Sequence, residues 1–418
     1  ETSLIMKTTV LLALMIIFNH GDLIKVPFQP SKSVYLGQRD LEEIISTDVL
    51  IRKAGYQSEF YEVETEDGYI IRLTRIKSSH PGPPVLIVHG VLAASDIWLQ
   101  RGTSEDLPYI LGNNGFDVWL ADLRGNLYSL RHTNLSSSRS KYWDFSFHEM
   151  GFYDLAAFIT KILSISKYPK LFYVGHSMGT TTFFVLMSTR PEFNKYIYSS
   201  ALLSPVAFGV RKFKSSFFEE ILKRSDKIGD FLKAIHLFDI PPRSKETQSL
   251  IRLFCSELLQ GICLNVVGDV AGENRKNLNR AKVSDYINSI ISGGSIKTLL
   301  HFAQVYKTGE FKRFDYGSKE NRVIYEQAKP PNYHLERISS PVILFYSNND
   351  KLIDEESIHR IDNLLPNIVS KELLPEYSHL DYVFGNDAPE KLYLVIRDMF
   401  NRISNNSYFT IESLVVIE

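Results

Sequence analysis

Short, uninterrupted apolar runs recur along this chain with helix-patterned segments between them, and few folds accommodate that alternation. The runs are Val85 to Val88, Val118 to Ala121, Leu171 to Val174, Ala201 to Leu203 and Val342 to Tyr346. A strand with no polar alternation has to be covered on both faces. Helical patterns such as Tyr153 to Ile165 and Thr180 to Thr189 supply the cover. Buried strands alternating with helices predict an α/β fold with a mostly parallel central sheet and helices on both faces. Ahead of it, Phe60 to Thr65 and Tyr69 to Ile76 flank Glu66-Asp67-Gly68. Asp-Gly between alternating apolar runs predicts a hairpin.

The alternation lapses between residues 208 and 333, which are helical in pattern and rich in Lys and Arg, with no convincing buried strand. Strand character returns at Pro341. The economical division is a core from residues 22–207 and 334–403, with a helical cap and lid at 208–333 inserted between two sheet strands. Within the insert, Phe217, Phe218, Ile221, Leu222, Ile228, Phe231, Leu232 and Ile235 fall at helical spacing. That stripe either packs the insert on itself or forms an apolar lid facing lipid. Glu390 to Ile403 reads as a closing amphipathic helix, followed by a tail at 404–418.

Lys7 and the apolar run Thr8 to Phe18 lie between Met6 and the polar Asn19, His20 and Gly21. The run is about half of the roughly 20 residues needed to cross a bilayer. It reads as a secretory signal over residues 1–21 with Met6 as the start, leaving no stable transmembrane anchor and an extracellular or lysosomal destination. Asn134-Leu135-Ser136 and Asn405-Asn406-Ser407 are glycan acceptor triplets, so Asn134 and Asn405 are glycosylation candidates. An oxidising compartment permits Cys255 and Cys263 to pair. On one continuous helix they would lie about 12 Å apart, too far to bridge. A turn between them, for instance at Gly261, could close the gap, and the pairing stays open. The formal net charge of -1 gives no field for binding nucleic acid.

Gly175-His176-Ser177-Met178-Gly179 matches G-x-S-x-G between the run Leu171 to Val174 and the helix near Thr180. This is the context of a nucleophile elbow, where flanking glycines let the chain turn sharply and Ser177 is the nucleophile. His89-Gly90-Val91-Leu92 follows an earlier strand. The backbone N–H groups of Val91 and Met178 are the candidate oxyanion donors. His89 and His176 read as supporting structure. In this fold the acid and then the histidine follow the serine along the chain. Asp350, just past Val342 to Tyr346, is the favoured acid over Asp354, and His379, beyond the run near Val369 to Leu374, is the base. Acyl transfer through Ser177, His379 and Asp350 requires no metal and no organic cofactor.

With these residues placed, the chain resembles the acid lipase family, which includes gastric and lysosomal acid lipases, from about Asp48 to Asn401. The matching segments include Thr65-Glu66-Asp67-Gly68-Tyr69-Ile70, His89 to Leu92, Arg124-Gly125-Asn126, Tyr153-Asp154-Leu155, Gly175 to Thr181, Pro330-Pro331-Asn332-Tyr333 and His379-Leu380-Asp381. The resemblance implies an α/β-hydrolase fold with a helical cap, and neutral lipid esters met at a lipid–water interface. It carries the family's nucleophile, acid and base onto Ser177, Asp350 and His379. Two positions depart from the family pattern. Met178 stands where many members have Gln, and Glu246 lies in the region where many have a further cap cysteine. The alternatives are a non-catalytic lipid-binding protein on the same scaffold, or an esterase or acyltransferase for smaller esters. The oligomeric state is not legible.

Overall fold

A computed structural model describes residues 46–78, 81–210, 216–256 and 259–415. The signal expected over residues 1–21 therefore lies outside the described residues. The chain enters through helix α1 (Thr47–Lys53) and the hairpin β1 (Ser58–Glu64) and β2 (Tyr69–Ile76). The hairpin is antiparallel and turns at Asp67-Gly68. Then β3 (Pro84–Val88), α2 (Leu107–Asn113), β4 (Asp117–Asp122) and the two-residue β5 (Arg131–His132) follow. Next come α3 (Ala156–Ser166), β6 (Leu171–His176), α4 (Met178–Thr189) and β7 (Ile197–Leu203). After the insert, β10 (Val342–Tyr346), helix Glu355–Leu364, β11 (Ile368–Leu373) and helix Leu394–Val415 complete the core.

The strands lie in the order β1-β2-β4-β3-β6-β7-β10-β11, with β5 beside β2. From β4 to β11 every neighbouring pair is parallel. The period of two explains why these strands read as unbroken apolar runs. Leu86, Val88, Trp119, Ala121, Tyr173, Leu202 and Leu344 face α3 and α4 in one core. Val85, Ile87, Val118, Leu120, Phe172, Val174, Ala201, Leu203, Ile343 and Phe345 point the other way, toward α2 and the closing helix. Both faces are dry, so neither phase of the strand can be polar.

The insert carries α5 (Ser216–Ala234), α6 (Lys245–Phe254), α7 (Gln260–Ala271), α8 (Val283–Ile290), α9 (Ile296–Thr308) and α10 (Ser318–Tyr325). Contrary to a purely helical expectation, it also holds a two-residue antiparallel ladder, β8 (Asp239–Ile240) with β9 (Gly294–Ser295). Two-residue strands are too short to leave a periodic trace. Along α5 the apolar stripe divides. Leu232 and Ile235 pack inward on the Leu237, Ile240 and Ile296 cluster, whereas Phe231 is 60% exposed. The closing helix, Leu394–Val415, runs on through most of the expected tail.

Cys255 and Cys263 are joined by a disulfide across a Cα–Cα distance of 5.2 Å. Two helices rather than one carry the cysteines: α6 ends at Phe254, just before Cys255, and α7 begins at Gln260, so Gly261 sits inside α7. The insert is also tied to the sheet edge. Buried Arg243 donates to the buried Asp96 carboxylate, and the Ser292 N–H reaches the Leu92 carbonyl at 2.6 Å.

A second buried pair explains the Thr65 to Tyr69, Arg124 and Tyr153 to Leu155 segments. Arg124, 1% exposed, donates to Asp154 at 2.7 Å and to both oxygens of Asp67 at 2.6 and 2.8 Å. Its guanidinium lies 3.9 Å from the Tyr69 ring centroid. Removing Asp154 takes away the fully buried carboxylate and leaves the buried guanidinium with the partly exposed Asp67 alone. Asp154→Ala should therefore cost about 3–5 kcal/mol of stability, read as a fall in the denaturant midpoint at unchanged slope.

Candidate active site

Ser177 stands between the end of β6 and the start of α4 with φ 53° and ψ −117°. A non-glycine residue rarely occupies this region, and here the packing of its neighbours holds it. A Cβ on Gly179 would lie 2.7 Å from the Val88 carbonyl oxygen, and one on Gly175 would lie 2.8 Å from the Gly179 carbonyl carbon. Only glycine fits at these positions, so the elbow can press against β3 and expose its central side chain to the sheet edge.

The three expected side chains meet there. The Ser177 hydroxyl lies 2.8 Å from His379 Nε2, and His379 Nδ1 lies 2.9 Å from Asp350 Oδ2. All are buried. A carboxylate only accepts, so Nδ1 carries the proton and Nε2 is left to accept from the serine. Burial pushes the Asp350 carboxyl up. The adjacent His379 and hydrogen bonds from His379, Ser204 and the Leu352 N–H outweigh that push and hold it below the usual carboxylate value. The rival Asp354 caps the helix Glu355–Leu364 instead, accepting from the Ser357 N–H at 2.9 Å.

The loops that carry Asp350 and His379 are braced by the insert. The His379 N–H donates to the Ala271 carbonyl at the end of α7 at 2.7 Å. Lys351 Nζ donates to the Gly268 carbonyl at 2.8 Å, and Asn349 Nδ2 donates to the Glu273 carbonyl at 3.1 Å. In His379-Leu380-Asp381, the Asp381 carboxylate accepts the Ser378 N–H at 2.5 Å. His176 is pushed down to about 3 by burial and by His379, so it stays neutral and donates Nε2–H to the His379 carbonyl at 2.9 Å. Burial likewise pushes His89 down to about 4. Its Nδ1–H donates to the Gly90 carbonyl at 2.8 Å and its Nε2 accepts from the Leu123 N–H at 3.2 Å. Both histidines support the loops around them.

Met178 is the first residue of α4, where a backbone N–H has no partner within the helix. A Cβ on Gly90 would lie 3.3 Å from the Ser177 Cβ, so the loop bearing Val91 abuts the elbow. Val91 and Met178 line one small cavity together with Gly293, Gly294 and Ser295 of the insert. Sequence reasoning missed Ser204. Its hydroxyl lies 2.7 Å from Asp350 Oδ2 and 2.9 Å from His379 Nδ1. Its place directly after the run Ala201 to Leu203 was the one available signal. No group of three or more His, Cys, Asp or Glu among the described residues is arranged to hold a metal ion.

The alpha/beta hydrolase fold family matches residues 83–386, and a partial alpha/beta-hydrolase lipase region matches residues 47–102. Human lysosomal acid lipase/cholesteryl ester hydrolase is 34% identical over 375 residues, covering 87% of this chain and 92% of that protein. The chain belongs to the acid lipase family of α/β-hydrolases. Human gastric triacylglycerol lipase is 33% identical, with 86% of this chain and 92% of that protein covered. Lipase 1 of Drosophila melanogaster is 33% identical, with 88% and 82% covered. Among solved structures, a bacterial membrane phospholipase A shares the fold at a TM-score of 0.51 and 17% identity, covering 85% of this chain and 89% of that one.

The geometry separates the two acidic candidates of this acid lipase family member. Asp350→Asn should lower kcat by about 10⁴-fold with little change in fold, because the amide no longer holds the required tautomer. Asp354→Ala should cost about 0.5–2 kcal/mol as a lost cap and leave kcat within about twofold. Steady-state kinetics and thermal unfolding of both variants check this.

Proposed function

We propose that the enzyme hydrolyses carboxylic esters of neutral lipids, triacylglycerols or cholesteryl esters, through an acyl-enzyme on Ser177. The observation that carries the reading is the buried hydrogen-bonded line from Ser177 through His379 to Asp350 at the mouth of the β6–α4 turn. His379 takes the hydroxyl proton through Nε2 as the serine oxygen attacks the ester carbonyl. The N–H groups of Val91 and Met178 receive the oxyanion, each worth about 3–4 kcal/mol. His379 then protonates the departing alcohol, and the acyl group stays on Ser177. Water, deprotonated by the same imidazole, attacks the acyl carbonyl, and the bond to Ser177 breaks as the imidazolium returns a proton to the serine oxygen, releasing the fatty acid. Asp350 holds the imidazole and offsets its transient positive charge.

The names of the relatives, triacylglycerol lipase and cholesteryl ester hydrolase, support the substrate class. The insert adds a physical reason. Phe231, Leu250, Leu253 and Ile262 on α5, α6 and α7 are 40–65% exposed, so the insert presents apolar side chains to its surroundings. A secretory route, with an extracellular or lysosomal end point, fits the disulfide and the exposed acceptor residues Asn134 and Asn405. No helix among the described residues is long and apolar enough to cross a membrane.

A fluorophosphonate probe should label the enzyme, and Ser177→Ala should abolish both the labelling and the release of fatty acid from emulsified triolein and cholesteryl oleate. Labelling that survives in Ser177→Ala removes the nucleophile from this reading. Turnover confined to a dissolved short-chain ester removes the lipid.

A further inference from the structure

We propose that Ser204 is a positioning residue for the proposed acid–base pair, and that its hydroxyl sets the pH range in which His379 can act as base. This rests on the roles given above to Asp350 and His379.

Ser204 directly follows β7 and is 1% exposed. Its φ is 52°, a left-handed backbone that an L residue adopts reluctantly. The residue before a proline is ordinarily extended, and Pro205 follows it. The conformation is therefore imposed by the surroundings. The Ser204 N–H donates to the Phe345 carbonyl of β10 at 2.9 Å, so the residue is tied to the strand whose following loop carries Asp350.

The result is a closed triangle. Ser204 Oγ is 2.7 Å from Asp350 Oδ2 and 2.9 Å from His379 Nδ1, and Nδ1 is itself 2.9 Å from Oδ2. The ionised carboxylate has no proton to give, so the hydroxyl donates to Oδ2. Its lone pairs then face Nδ1–H, which Oδ2 and Oγ share. The Leu352 N–H holds the other carboxylate oxygen at 2.8 Å. Each hydrogen bond to the carboxylate favours its charged form and spreads its charge. The hydroxyl therefore weakens the pull that Asp350 exerts on a protonated imidazole, and it prevents the carboxylate from rotating away. At 1% exposure bulk water cannot take over the role.

The other ionisable groups nearby are occupied differently. His176 is neutral and donates to the His379 carbonyl, and Asp381 accepts the Ser378 N–H. Lys351 donates to the Gly268 carbonyl, and the Tyr306 hydroxyl donates to the Leu352 carbonyl. The Tyr382 hydroxyl is buried in the same region as Asp350. Losing the Ser204 hydroxyl should therefore act on the Asp350–His379 contact. Asp350 becomes a stronger partner for the imidazolium, which persists to higher pH and cannot accept a proton there.

The test compares Ser204→Ala and Ser204→Gly with the wild type on a soluble short-chain ester, recording kcat/KM against pH, kcat, KM, Tm and fluorophosphonate labelling. Both variants lose the hydroxyl, and glycine alone also relieves the left-handed backbone. The acid limb of kcat/KM should move to higher pH in both by about 0.5–1 unit. On the plateau kcat should fall roughly three- to tenfold, with KM within about twofold, since the hydroxyl touches no substrate. If alanine prevents folding, glycine carries the test. A folded, labelled variant whose acid limb superimposes on the wild type, or moves to lower pH, overturns the proposal and leaves the Ser177 mechanism standing. A wild type that the probe does not label overturns the mechanism itself.

Discussion

Parallel pairing from β4 to β11 is the constraint on which the site depends. Because β3, β6, β7, β10 and β11 all point the same way, their carboxyl ends lie along one edge of the sheet. The loops leaving Val88, His176, Leu203, Tyr346 and Leu373 therefore emerge together. This edge is where open parallel sheets gather their ligands. A hydroxyl, a carboxylate and an imidazole separated by 173 and 29 positions in the chain meet within hydrogen-bonding distance for that reason.

Convergence alone would leave three loops free to wander, and the insert restrains them. The end of α7 supplies the carbonyls of Gly268 and Ala271, and Glu273 follows just beyond it. These bond Lys351, His379 and Asn349. On the opposite side, Ser292 holds Leu92 beside Val91, and Arg243 anchors that part of the insert to Asp96. The insert thus bears on the loops that carry Asp350, His379 and Val91. Burial strengthens each contact, because an unmade hydrogen bond in a dry site costs far more than one open to water.

Two serines at this edge, Ser177 and Ser204, adopt positive φ, and they differ in how visible they were beforehand. Ser177 announces itself because its turn requires glycines on either side, and those glycines are in the chain. Ser204 has no such flanking pattern. Its backbone is held by Phe345 and its hydroxyl by Asp350, both more than 140 positions away. The disulfide shows a similar limit. Two cysteines eight apart are compatible with one helix or with two, and the break after Phe254 is decided by how α6 and α7 pack. The two-residue ladder of β8 and β9 lies below the length at which any period can be counted.

Local chemistry by itself determined the strands, the hairpin at Asp67-Gly68, the elbow at Ser177 and the order of serine, acid and histidine. The strand runs and the hairpin follow from periodicity and turn chemistry, and the elbow from steric demands satisfied within a few residues. The order of serine, acid and histidine follows from the fold those elements imply. Tertiary structure alone decided which acid faces the imidazole, that a second hydroxyl joins it, and that the insert grips the loops carrying Asp350 and His379. Those outcomes depend on distances between groups far apart in the chain, which only the completed parallel sheet and its docked insert bring into contact.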